Sequence, residues 1–180
     1  MTDSEARVVL VNFQDRELGS MEKLRAHREA RLHRAFSVFL YHNGRILLQQ
    51  RARSKYHCGG QWTNTCCSHP APGEDTVDAA RRRLEMETGI GVPRLRELFT
   101  FFYCCRLDHG LTEYECDHVL AAEYSGDFHP NPEEVECMKW LSYEELEAEM
   151  MEHPHRFTPW FLICAPRVLA WLREAPPERM

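Results

Sequence analysis

The stretch Asn64-Thr65-Cys66-Cys67-Ser68-His69-Pro70 sets two adjacent thiols, and an imidazole two residues on, among turn-forming residues. Three chemistries fit: a disulfide framework, a zinc knuckle, or a reactive thiol beside a metal ligand. The chain has eight cysteines, an even number. The pairs Cys66-Cys67 and Cys104-Cys105 are neighbours, which rarely bridge to each other, and no Cys-x-x-Cys supplies zinc-ribbon spacing. Cys104, Cys105, Cys116, Cys137 and Cys164 read as small hydrophobes in strands or helices.

Further groups could join His69 on a cation. His27 and His33 lie in "AHREARLHRAFS". A spacing of six is not one helix face, so their rings converge only if the chain bends between them. Glu113 and Glu115 in "TEYECDHV" would point to one side of a strand, and two carboxylates there repel unless a cation sits between them. Solvated charges on an outer strand face are the plainer reading, and Asp117 and Glu123 close by blur the pattern. Three histidines with two glutamates would suit zinc, manganese or iron. Arg83 and Glu87, four apart on a helix, read first as a surface pair worth ~0.3–0.5 kcal/mol.

The elements that must hold these groups are legible in outline. "RAFSVFLYHNGRILLQQRA" reads as a hairpin turning at Asn43-Gly44, because both residues tolerate positive φ. "KYHCGGQWTNTCCSHPAPGE" is rich in Gly, Pro and polar residues and reads as loop. "DTVDAARRRLEMETG" reads as a helix capped by Asp75, with Val77, Ala80 and Leu84 on one stripe and Gly89 as its stop. "RLRELFTFFYCCRL" and "EYECDHVLAAEY" read as strands, and "NPEEVECMKWLSYEELEAEM" as a strand and a helix capped by Ser142. "TPWFLICAPRVLAWLREA" reads as an amphipathic helix interrupted near Pro166. Strands and helices so mixed indicate an α/β or α+β fold around a mixed sheet.

With 180 residues the expected organisation is one domain over 1–180, frayed from about 175. No apolar run approaches the ~20 residues of a membrane span, and the acidic N-terminus is no signal peptide. A cytoplasmic setting is therefore expected, where thiols stay reduced, which argues against disulfides. A net charge of −6 is a poor footprint for nucleic acid, so an anionic substrate would need a local basic cluster or a metal.

Glu74, seven residues, Arg82, then Leu84, Glu87, Gly89 and Ile90 resembles the Nudix box, a loop–helix motif that holds a divalent metal against a diphosphate. Here the box is degenerate: Ser68 replaces its leading glycine, Arg83 a glutamate, and Met86 the first glutamate of the late pair. "LHRAFSVFLY", "WTNTCCSHP" and "EYECDHVL", with that box between the last two and "TPWF" near the end, resemble type I isopentenyl-diphosphate Δ-isomerase from about Lys23 to Trp160. The resemblance implies a Nudix-like mixed β-sheet between helices. It implies a 1,3-allylic shift of isopentenyl diphosphate to dimethylallyl diphosphate through a tertiary carbocation. Cys67 would be the catalytic thiol, serving as a thiolate, and Glu115, helped by Tyr103, the other acid/base. Trp160 would face the alkene. His27, His33, His69, Glu113 and Glu115 would hold one Mn2+ or Zn2+. Glu87, with the main-chain carbonyl of Cys67, would hold the Mg2+ that carries the diphosphate, among Lys23, Arg51, Lys55 and Arg83. The expected partner is this small molecule alone, taken up by a monomer, with no nucleic acid or membrane. The rivals are a Nudix hydrolase of a nucleoside diphosphate derivative and a silent Nudix-fold binding module.

Overall fold

The computed structural model describes residues 6–55 and 57–174, so the expected frayed tail from about 175 lies outside the described residues. These form strands β1 (Arg7–Val11), β2 (Glu17–Glu22), β3 (His33–His42), β4 (Arg45–Arg51), β5 (Trp62–Thr63), β6 (Cys66–Ser68), β7 (Arg96–Arg106), β8 (Thr112–Glu123) and β9 (Val135–Ser142). The helices are α1 (Lys23–Arg28), α2 (Thr76–Thr88), α3 (Tyr143–Glu152) and α4 (Pro159–Glu174). Among the described residues no helix is long and apolar enough to cross a membrane.

Strand β3 is the hub of a mixed sheet. It runs antiparallel to β4 and β6, and parallel to β8 from His33↔Glu115 to Tyr41↔Glu123. β7 closes on β8 and β9 on β4, both antiparallel. The expected hairpin is present: Asn43 and Gly44 take φ of 47° and 72° between His42 and Arg45. Because β3 is central, both its faces are apolar. Phe39 and Tyr41 pack towards Phe161, Val168 and Leu169 of α4, while Phe36, Val38 and Leu40 pack towards Ala80 and Leu84 of α2. The sheet is thus held between helices, as the α+β reading required.

The capping signals hold. The Asp75 side chain accepts from Val77 N and Asp78 N, Gly89 ends α2 at φ 71°, and Ser142 with Glu145 forms a capping box on α3. Two expectations are corrected. α4 runs on through Pro166. One missing N–H is tolerated there because Cys164, Ala165, Val168 and Leu169 are buried in the core on either side of it. And the supposed loop contains β5 and β6, which exist because they pair with β4 and β3, not from their own propensity. Its turn-forming residues are buried braces. Thr65 Oγ1 donates to Leu47 O (2.6 Å) and accepts from Leu40 N (2.9 Å), and Asn64 Nδ2 donates to Cys66 O (2.6 Å) and Val38 O (3.2 Å).

Candidate active site

Alternation along β8 puts Glu113, Glu115 and Asp117 on one side of the strand. The parallel register sets His33, the first residue of β3, opposite Glu115. The bend that His27 and His33 need is there: α1 ends at Arg28, Ala30 turns the chain at φ 50°, and the two rings come to 4.8 Å between centroids. His69 follows β6, which is zipped to β3 at Phe36↔Ser68. One ligand atom from each of His27, His33, His69, Glu113 and Glu115 lies within 4.8 Å of all the others. His69 Nε2 is 2.8 Å and His33 Nε2 3.4 Å from Glu115 Oε1, and His27 Nε2 is 3.3 Å from Glu113 Oε2. The carboxylates read first as solvated are therefore buried.

The backbone sets the tautomers. His27 Nδ1 is 2.7 Å from Lys23 O, and His33 Nδ1 is 2.7 Å from Arg31 O. Each Nδ1 carries the proton, so each Nε2 presents a lone pair inward, the orientation of a metal-ligating histidine. Burial drives the His69 pKa well below its ordinary value and keeps that ring neutral. Burial would raise Glu115, but its polar contacts with His33, Glu113 and Tyr103, the last donating at 2.6 Å, prevail and leave it at about 2. Neutral imidazoles and ionised carboxylates are the ligand forms, and this N3O2 donor set fits a divalent ion such as Mn2+ or Zn2+.

Tyr103 faces Glu115 across the β7–β8 ladder and donates to its Oε2 at 2.6 Å. On the other flank of β3, Cys67 pairs with Ser37. The cysteine doublet is explained by parity: Cys66 is buried against Ala79, Ala80 and Leu84 of α2, and Cys67 opens on the cavity beside Trp160. Cys67 therefore sits on a strand, not in a loop. It is also not a resting thiolate. Burial pushes it up to about 12, and the Arg51 guanidinium, with Nη1 at 3.8 Å from Sγ, pulls it down only in part. Trp160 opens α4, is buried, and carries the Arg51 guanidinium 5.5 Å from its ring centroid, so its face already attracts a cation.

Lys23, Arg51, Lys55 and Arg83 all line this cavity, together with Glu87. The pair first read as superficial is buried: Glu87 is 4 % exposed, and Arg83 holds its Oε1 through Nη2 (2.5 Å) and Nε (3.1 Å). Glu134 reaches both Lys55 (2.7 Å) and Arg83 (3.5 Å). Glu74 plays a different part, clasping Arg82 with both oxygens (2.7 and 2.9 Å) at the start of α2.

One cavity residue has no sequence signal. His57 stands in "KYHCGG", off any strand, yet its Nε2 is 3.0 Å from Glu113 Oε1 and its ring meets Trp160 edge-on at 6.1 Å. Burial, opposed by Glu113, lowers its pKa to about 3. The folded ring stays neutral where an unfolded one, with pKa about 6.5, is protonated. Stability from this group is present above pH ~6.5 and falls as pH drops towards 3, because the unfolded chain binds the extra proton. Thermal unfolding between pH 7 and 5 is expected to show a declining midpoint, with a shallower decline in His57→Asn; equal slopes would contradict this assignment.

A family model described as the NUDIX domain matches residues 31–161. "Isopentenyl-diphosphate Delta-isomerase 1" of Aromatoleum aromaticum is 46% identical over 171 residues, covering 94% of this chain and 96% of that one. The "Isopentenyl-diphosphate Delta-isomerase" of Photobacterium profundum is 47% identical over 174 residues, 93% and 94% of the two chains. The chain belongs to the isopentenyl-diphosphate Delta-isomerase family, within the NUDIX domain proteins. Solved structures place the fold likewise. DR0079 of Deinococcus radiodurans superposes with a TM-score of 0.75 at 21% identity, covering 89% of this chain and 98% of that one. A MutT NUDIX hydrolase of Burkholderia pseudomallei gives 0.60 at 23%, covering 76% and 98%.

Proposed function

We propose that this chain converts isopentenyl diphosphate to dimethylallyl diphosphate by a 1,3-allylic proton shift. The observation that carries the reading is the placement of two proton-carrying groups, the Cys67 thiol and the Glu115–Tyr103 pair, on opposite flanks of β3 around one cavity roofed by Trp160. The substrate alkene is unactivated. A proton must be added at its terminal methylene, and a second removed from C2, through a tertiary carbocation. Cys67 and Glu115 are the groups that give and take these protons, and because the reaction is reversible each gives in one direction and takes in the other. The indole face of Trp160 stabilises the cation, by ~2 kcal/mol or more in a desolvated site. Burial of Tyr103 and Trp160 excludes the water that would trap the cation as an alcohol.

Lys23, Arg51, Lys55 and Arg83 receive the diphosphate, the arginines through the fork that pairs with phosphate oxygens. A Mn2+ or Zn2+ at His27, His33, His69, Glu113 and Glu115 would supply the charge that keeps Glu115 ionised and oriented. Glu87 and the Cys67 carbonyl would hold Mg2+ against the diphosphate. In this reading a monomer acts in the cytoplasm on a small molecule, with no nucleic acid or membrane partner; all eight cysteines stand unpaired, as a reducing compartment requires.

A Nudix hydrolase would instead activate water beside phosphorus with box carboxylates. Here Met86 removes one of them, Arg83 puts a cation in place of another, and Glu74 is tied to Arg82. In heavy water, deuterium is expected in the methyl groups and C2 of recovered material, with the diphosphate intact. Release of inorganic phosphate without deuterium in carbon would favour the hydrolase.

A further inference from the structure

Strand β8 carries a second cluster on its other side. Cys116 and His118 alternate with the glutamates, and Asp15 in the β1–β2 turn folds over them. One ligand atom from each of Asp15, Cys116 and His118 lies within 4.8 Å of the other two. Cys116 is fully buried and His118 is 8% exposed.

His118 stands between two carboxylates. Its Nε2 is 3.0 Å from Asp15 Oδ2, and its Nδ1 is 3.2 Å from Glu97 Oε1. A neutral imidazole has one N–H and serves only one of these carboxylates, where an imidazolium would serve both; as placed, the buried Nδ1 makes no hydrogen bond among the described residues. A cation bound at Nε2 suits the neutral ring, with its proton on Nδ1 on the Glu97 side. That is the carboxylate–histidine–metal arrangement of zinc sites. Arg34 takes Asp15 Oδ1 (2.8 Å) and Asp15 O (2.7 Å), and leaves Oδ2 turned to His118. With the thiol of Cys116 deprotonated, the charges of Cys116, Asp15, Glu97, Arg34 and a divalent ion cancel.

We propose that Asp15, Cys116 and His118 form a second, zinc-type metal site, separated from the active site by the thickness of β8, with Glu97 orienting His118 and a fourth position open to water. Sulfur, nitrogen and carboxylate donors together select zinc among the common divalent ions, and its bonds of about 2.0–2.3 Å suit ligand atoms so grouped. Binding forms the metal–sulfur bond and releases the Cys116 thiol proton to solvent.

Cobalt(II) reports on such a site, since only a thiolate ligand gives the near-ultraviolet sulfur-to-cobalt band. Titrating the full-length protein with Co2+ is expected to raise that band to saturation at one equivalent of bound thiolate. Cys116→Ser is expected to abolish it and Cys67→Ala to leave it intact. Asp15→Asn, in an exposed turn and independent of core packing, is expected to weaken the cobalt affinity at least tenfold, and Glu97→Gln about tenfold. Absence of the band, its survival in Cys116→Ser, or an unchanged affinity in Asp15→Asn would overturn the site.

Discussion

Cys67→Ala is expected to lower the isomerisation rate by about 10²–10⁴-fold or to below detection, the usual worth of a positioned acid or base, while the thermal midpoint changes little. The small stability effect follows from its half-buried place at the cavity wall, where removing one sulfur leaves no closed void. Cys66→Ala separates the two thiols. Its side chain faces α2, so it should keep much of the activity while costing ~1 kcal/mol of stability. A Cys67→Ala enzyme active within tenfold of the parent would show the thiol assignment to be wrong.

The second large effect concerns the histidine–glutamate site. Purified protein is expected to carry about one tightly held divalent ion there, and His69→Ala or Glu113→Ala to lose both the ion and the activity. Unchanged metal content in both variants would refute the site. Acid should release the ion. Burial opposes protonation of His27, but Glu113 outweighs it and raises that ring, so His27 is protonated first, whereas His69, held well below its ordinary value by burial, resists longer. Glu115 yields later. Its folded pKa of about 2 lies below an unfolded value near 4.3, so the stability it lends is complete above pH ~4.3 and disappears as pH falls towards 2.

Much of this was readable beforehand, and the reasons differ by residue. Helix α2 announced itself through Asp75, Leu84 and Gly89, and the first hairpin through Asn43-Gly44, because capping and turn chemistry are local. The convergence of His27, His33, His69, Glu113 and Glu115 came from resemblance, since spacing alone could not distinguish it from a solvated strand face. Three things were hidden. β6 is a strand only by virtue of β3, so Cys67 looked like a loop residue. The thiol's resting protonation depends on burial that no local pattern encodes. His57 is brought to Glu113 by the folding of an irregular segment, which carries no period to read.

The parallel pairing of β3 with β8 has a consequence for how this protein can vary. Glu113, Glu115 and Asp117 share a side only because they are separated by even steps, and His33 meets Glu115 only in one register. Inserting a single residue into β8 ahead of Glu113 would rotate the whole set, bringing Tyr114, Cys116 and His118 to the cavity and sending the carboxylates outwards. Loops elsewhere can lengthen by any number of residues. Even a two-residue insertion ahead of Glu113, which keeps the side, would move Glu115 away from His33, so this stretch is fixed in length as well as in composition.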